Sequence, residues 1–348
     1  MSTSKYDEQN TQAENDLTSI IDPQSVANAT SVGAAGMAGV AAPPPVAGRL
    51  SNLWRMLTAN RKAAVGAGVL LFFILVAIFG PFFVAQDPNT LNVGPSLAPP
   101  TSQFLFGTTQ TGQNVFTQTI VGTRDSILWG FITGILITVF STAVGLAAGY
   151  FGGTVDDILS LFINVFLVIP NLPLAIVLAA FFPVKGDITI ALVLTVTSWS
   201  WNARVVRAQT MSIRDRDFVQ AAKSSGESTL RILFAEILPT EISIVMSGFI
   251  GTVIYAIVAA AGLEFLGLGN VANINWGSML YWVNNNDAII QGAYWWFIPP
   301  TLCIAFVGTA LSLINFGIDE VANPRLRKES RVKLKFVKSK KTNKKAVA

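Results

Sequence analysis

Six long stretches of this 348-residue chain contain no Asp, Glu, Lys or Arg: about 63–85, 126–151, 158–183, 188–203, 242–263 and 294–318. Each is long enough, or nearly so, to cross the ~30 Å hydrocarbon core of a bilayer as a helix rising about 1.5 Å per residue. Lipid offers a backbone no water to bond with, so only helices or closed barrels cross it, and continuous apolar runs lack the alternation of barrel strands. The stretches therefore predict an all-α, polytopic membrane protein with six transmembrane helices. A composition of 51% hydrophobic and 13% charged residues points the same way.

The cations test the span count. Of 24 Lys and Arg residues, only Arg124 and Lys185 fall outside if both termini are inside. Arg49, Arg55, Arg61 and Lys62 precede the first stretch, six more lie between Arg204 and Arg231, and eleven follow the last. Six spans put all three clusters on one face, as retention of Lys and Arg in cytoplasmic loops requires; five or seven would put a large cluster outside. The expected placement is a bacterial cytoplasmic membrane, with both termini cytoplasmic.

Several features modify the spans. The fourth stretch is short and ends in Ser198-Trp199-Ser200-Trp201-Asn202, where both tryptophans read as interfacial anchors marking the span's end. Pro170-Asn171-Leu172-Pro173 interrupts the third, either as a packing kink or as a break lining a translocation path. Pro299 and Pro300 read as lying in the first turn of the sixth, where proline is tolerated. Glu264 reads as an exposed interfacial carboxylate. Trp276, Trp282, Trp295 and Trp296 with Tyr281 and Tyr294 read as an aromatic belt, or as a stacking platform for sugar rings beside Asn284, Asn285, Asn286 and Asp287.

What is missing excludes whole classes. There is no histidine, and Cys303 is the only cysteine; this removes the Ser-His-Asp triad, imidazole metal sites and intrachain disulfides. No phosphate loop and no Gly-Lys dipeptide occurs, so no nucleotide site is expected in this chain. The uncharged spans argue against an ion-coupled carrier. Residues 1–48, rich in Ser, Ala, Asn and Gln with a Pro43-Pro44-Pro45 run, predict a disordered cytoplasmic tail. Residues 328–348 predict a basic tail. The cations from Arg325 to Lys345 suit anionic lipid head groups; with Phe336 the only aromatic among them, no nucleic-acid partner is expected.

Between the fourth and fifth stretches, about 212–239, lies a patterned cytoplasmic loop. Phe218, Ala221, Ala222 and Ser225 fall at i, i+3, i+4 and i+7, and Leu230, Leu233, Phe234, Ile237 and Leu238 repeat the helical spacing beyond Gly226. Gly226 can take the positive φ that ends one helix and redirects the chain. The pattern predicts a helix–turn–helix with a face of small residues.

Here the sequence resembles the membrane subunits of binding-protein-dependent ABC importers, whose loop reads Glu-Ala-Ala, three residues, Gly and later Leu-Pro. Gln220-Ala221-Ala222, Gly226 and Leu238-Pro239 fall on that pattern, with Gln220 in place of Glu. It narrows to the C-type permease subunit of dipeptide and oligopeptide importers. Phe106-Gly107-Thr108 with Gly112, Val115 and Phe116 resembles that subfamily's Gly-Thr-Asp-x-x-Gly-Arg-Asp segment, with Thr109, Gln113 and Asn114 replacing three charged residues. Gly262-Leu263-Glu264-Phe265-Leu266-Gly267-Leu268-Gly269 resembles its Leu-Ser-Phe-Leu-Gly-Leu-Gly segment, with Glu264 for Ser; Trp276-Gly277-Ser278, Trp295 to Pro300 and Asn323-Pro324-Arg325-Leu326 also fit in order.

The resemblance implies a six-span domain over 49–327 whose residues Gln220, Ala221, Ala222, Gly226, Leu230, Phe234, Leu238 and Pro239 couple the spans to a separate ATPase. It implies a homologous second permease subunit, one or two ABC ATPases that bind ATP and Mg, and an extracytoplasmic solute-binding protein that Glu264 could contact. The chain itself would hold no cofactor and catalyse nothing. Di- or oligopeptides are the expected solute and oligosaccharides the alternative; a self-powered carrier or channel, or a membrane scaffold, stands as a reading of another class.

Overall fold

The computed structural model describes residues 61–84 and 87–322, with side chains up to Ile318. The tails expected over 1–48 and 328–348 lie outside these residues. The helices are α1 (Arg61–Phe83), α2 (Val115–Phe151), α3 (Gly153–Val168), α4 (Asn171–Phe181), α5 (Asp187–Ser198), α6 (Ser200–Ile213), α7 (Asp217–Ser224), α8 (Thr229–Phe265), α9 (Trp276–Asn285) and α10 (Tyr294–Ala322). Among the described residues there is no β-strand, only an isolated bridge between Thr108 and Asn114.

Helices α1, α2, α8 and α10 are each long and apolar enough to cross a membrane. Helices α3 and α4 qualify as a bent pair meeting at 92°. Ile169 is extended there, and Pro170 and Pro173 lack N–H groups, so the helical ladder cannot continue. Helix α5 has only 12 residues, but the chain does not stop at its end. Trp199 keeps helical backbone angles, and Ala203 N donates to Trp199 O at 3.1 Å, so α5 runs on into α6. The span expected to end at two anchors therefore continues. Trp199 is buried between the rings of Phe140 and Phe166, at 5.4 Å from each, and only Trp201 is exposed. Two residues apart on a helix means about 200° of rotation, so the pair could not both face outward.

Helix α2 is the central element and packs against α1, α5, α6 and α8. Gly130 and Gly134 face Ile257 and Val253 of α8, while Gly145 and Gly149 face Ala203, Val206, Arg207 and Thr210 of α6. Small residues four apart let backbones approach where lipid supplies no hydrophobic drive between helices. With 37 residues each, α2 and α8 are ~55 Å long and overshoot a ~30 Å core.

The overshoot builds two ends. At one, residues 87–114 and α9 gather over the start of α2 and α10 around Val115, Met279, Val283 and Trp296. Asn114 caps α2, its Oδ1 accepting from Phe116 N at 3.0 Å. Thr109 Oγ1 accepts from Gln113 N at 3.0 Å, and Gln113 Nε2 donates to Asn89 O at 3.2 Å. The three neutral replacements for family charges thus all bind their own loop. Gly107 has φ +68°, and a Cβ there would strike the Trp295 ring.

Two expectations fail at this end. Trp276 and Trp296 are core residues, 0% and 3% exposed, with Trp276 edge-on to Phe73 at 6.0 Å; only Trp282 and Tyr294 keep large exposed surfaces. Pro299 and Pro300 lie beyond the first turn of α10, because the helix begins at Tyr294. Neither can donate to the carbonyl four residues before it.

Candidate functional site

At the opposite end, α6, α7 and the start of α8 close over Leu146, Val206, Ile213, Val219, Ile232, Leu233 and Ile237. Helix α7 carries Gln220, Ala221 and Ala222. It begins with Asp217 in its first turn and ends with Lys223 in its last, the charge order that the helix dipole favours. Lys223 Nζ lies 5.1 Å from the Tyr150 ring centroid, and Arg214 donates to Gly149 O at 3.0 Å, so both sides of α7 are tied to the end of α2.

Gly226 then takes φ +75°, with nothing within 4 Å of the place a Cβ would occupy. Gly226 N donates to Lys223 O at 3.0 Å and Glu227 N to Ala222 O at 3.2 Å. The turn is as the sequence predicts. The segment beyond it departs from the expected second helix of a helix–turn–helix: the chain winds from Thr229 into a π-helical stretch, Ile232–Ile237, and on into the span. Leu238 and Pro239 lie inside α8, not at a loop's end. Pro239 is accommodated because the preceding carbonyls bond in the wider π register.

That winding splits the apolar face read from the sequence. Leu233 and Ile237 are buried with Ile232. Leu230 and Phe234 face outward at 68% and 59% exposure. On α7 the buried residue is Val219, outside the predicted small-residue face, while Phe218 is 41% exposed, Ala221 and Gln220 are exposed and Ala222 is half-buried. Gln220 Nε2 reaches only Arg214 O, at 3.3 Å. Phe218, before Gly226, and Leu230 and Phe234, after it, thus expose apolar side chains, interspersed in sequence with Arg216, Lys223, Glu227 and Arg231, at an end where the helices already overshoot the bilayer.

Residues 141–328 match the model of the binding-protein-dependent transport system inner membrane component, and residues 49–100 match the N-terminal transmembrane domain of oligopeptide transport permease C. The chain belongs to the family of binding-protein-dependent inner membrane components. It is 32% identical to the dipeptide transport system permease protein DppC of Bacillus subtilis over 80% of this chain and 86% of the relative. It is 32% identical to that organism's oligopeptide permease OppC, over 80% and 91%. To the Haemophilus influenzae DppC it is 31% identical, over 80% and 95%.

As an inner membrane component of a transport system, the chain serves the passage of solute through the bilayer. Two polar contacts in it had no signal in the sequence. Arg207 of α6 binds Asp156 of α3 through both nitrogens of its fork, Nε to Oδ1 at 2.5 Å and Nη2 to Oδ2 at 2.8 Å, across 51 residues of sequence. Ser160 Oγ adds a 2.9 Å bond to Asp156. Arg207 therefore fixes α3 to α6. Asp156→Ala should lower stability by about 1–3 kcal/mol, the scale for a lost bond to a charged partner, read as a lower thermal midpoint in detergent. Glu241, just outside the uncharged stretch of α8, is 1% exposed and accepts from Thr210 Oγ1 at 3.2 Å.

At the C-terminal end of α8, Glu264 contradicts its expected exposure. It is 9% exposed, and its Oε1 accepts from Asn275 Nδ2 at 3.0 Å. Asn275 also caps α9, accepting from Ser278 N at 2.8 Å while Ser278 Oγ accepts from Asn275 N at 3.0 Å. Glu264 thus joins the end of α8 to the start of α9, and the turn after Phe265 folds it inward. Among the described residues, no group of three or more Asp, Glu or Cys side chains converges as a metal site would require.

Proposed function

We propose that this inner membrane component is the permease subunit of an ATP-driven importer of di- or oligopeptides. The observation that carries the reading is that Phe218 on α7 and Leu230 and Phe234 at the start of α8, on either side of the positive-φ Gly226, are exposed apolar side chains, while α7 itself packs on α2, α6 and α8. A partner that presses on α7 pushes on three spans at once. ATP and Mg belong in this reading to one or two ATPase subunits that dock on these side chains. A homologous second permease completes the path, and an extracytoplasmic binding protein delivers solute to the end formed by 87–114 and α9.

The topology proposed is six crossings with both termini cytoplasmic, the bent α3–α4 pair and the continuous α5–α6 each crossing once. The cation clusters support it. Peptide is favoured over oligosaccharide because the names of the relatives point to peptide transport and because burial of Trp276 and Trp296 removes half of the tryptophans a sugar platform would use.

The test is affinity purification of the tagged chain in mild detergent from its native host, with mass spectrometry of co-purifying chains and an ATPase assay of the eluate. A second permease and one or two ATPases should accompany it. Recovery of the chain alone, with no ATPase activity, would replace this reading with a self-powered carrier.

A further inference from the structure

A cavity of 580 Å³ opens between α2, α4, the α5–α6 helix and α8, within the size range of small-molecule sites. It lies at mid-span, where α2 contributes Thr138 and α8 contributes residues from Ser243 to Tyr255. Of its 17 lining residues, eight carry a hydroxyl and two a carboxamide, and none is Asp, Glu, Lys or Arg. Asn171, just past the α3–α4 break, projects into it, so the break read from the sequence as kink or path lining contributes to the wall.

The wall is braced from within. Asn202 Nδ2 donates to Thr252 Oγ1 at 2.6 Å, and Ser198 Oγ to Tyr255 Oη at 3.1 Å, linking α5–α6 to α8. Thr138 spends its proton on the carbonyl of Gly134, which leaves its hydroxyl oxygen as an acceptor, whereas Thr252 both donates to Gly248 O and accepts from Asn202. So many polar groups at this depth are costly against lipid tails and are tolerated where they face water or a polar solute. Gly251 opens the wall further: a Cβ there would meet nothing within 4 Å.

We infer that this cavity is the chain's share of the translocation path, and that its uncharged wall, an apolar surface set with hydroxyls and two carboxamides, passes solutes of either net charge alike. The inference rests on the peptide reading above and deepens it. A fixed ion in a low-dielectric wall would hold solutes of one sign and repel the other. A peptide carries an ammonium and a carboxylate together, and side chains of either sign. A neutral wall with acceptors and donors hydrogen-bonds all of these and traps none, so discrimination by charge falls to whatever delivers the solute.

The test uses the assembled transporter in membrane vesicles, with Cys303→Ser as background and Gly251→Cys as the reporter. Thiol reagents of matched size carrying an ammonium or a sulfonate are compared during turnover. Both should label Gly251→Cys at rates within about threefold and block uptake once attached. Val139→Cys, on the outward face of α2 beside Thr138, should react at least about tenfold more slowly. A preference beyond about tenfold for one reagent, or no labelling at Gly251→Cys, overturns the inference. Even labelling by both reagents in a complex that takes up no peptide upholds the neutral path and removes the peptide reading. As a second variant, Gly251→Asp should lower uptake of anionic peptides about tenfold relative to cationic ones; equal uptake of both would also overturn the inference.

Discussion

Leu230→Asp combined with Phe234→Asp should leave the chain folded in the membrane while the ATPase proposed to dock there no longer co-purifies with it. Both side chains point away from the protein, so nothing inside is lost and no buried polar group is created. Burying a Leu or Phe against a partner contributes about 1.5–3 kcal/mol each, so removing two, and forcing carboxylates into the contact, lowers affinity by roughly 100-fold or more. The check is the ATPase-to-permease ratio in the eluate beside the unchanged elution profile of the chain itself. An unchanged ratio would mean that the partner docks elsewhere. Leu233→Asp is the contrast: it buries a charge among Ile213, Val219 and Ile237, and the chain should fail to accumulate.

Gly277→Leu should be the most damaging single change where α9 meets the end of α8. A Cβ on Gly277 would lie 2.7 Å from Glu264 Cβ and 2.8 Å from Ala261 Cα, with the Glu264 carboxylate closer still. Two of these obstacles cannot rotate away, so α9 must leave α8, and the Glu264–Asn275 bond and the capping box go with it. A cost of about 3 kcal/mol, the upper part of the overpacking range, should appear as a lower thermal midpoint and weak expression. Gly251→Ala, on the same helix partner α8 but facing open space, should be neutral or raise the midpoint slightly, since alanine is the better helix former. Equal losses from both would remove the packing argument.

The positions that sequence reading placed correctly share a cause. Gly226 was legible because only glycine adopts a positive φ without penalty, and the apolar pattern changes on either side of it. The third span's break was legible because proline lacks a donor. The glycines at 130, 134, 145 and 149 carry a signal of the same kind, two small-xxx-small pairs four residues apart, on which α8 and α6 pack.

The positions it misplaced share another cause. A tryptophan near the end of a span has the same local signal whether it faces the head groups, like Trp201, or fills the core, like Trp199 and Trp276. Glu264 looks interfacial until the turn after Phe265 brings α9 back across it. The helix from Thr229 was expected to stop near Pro239, but a π-helical stretch absorbs the proline's missing bond and carries the helix into the span. In each case the deciding contact comes from an element distant in sequence.

The sequence by itself determined that this chain crosses a membrane as helices and where the turn at Gly226 lies, because lipid insolubility and backbone stereochemistry act locally on each residue. The tertiary structure alone decided that Asp156 holds Arg207, that Glu264 is buried against Asn275, that Leu230 and Phe234 face out while Leu233 and Ile237 face in, and that hydroxyls from three separate helices share one uncharged cavity. Those outcomes depend on how helices rotate against one another, and rotation is set by packing across the whole bundle.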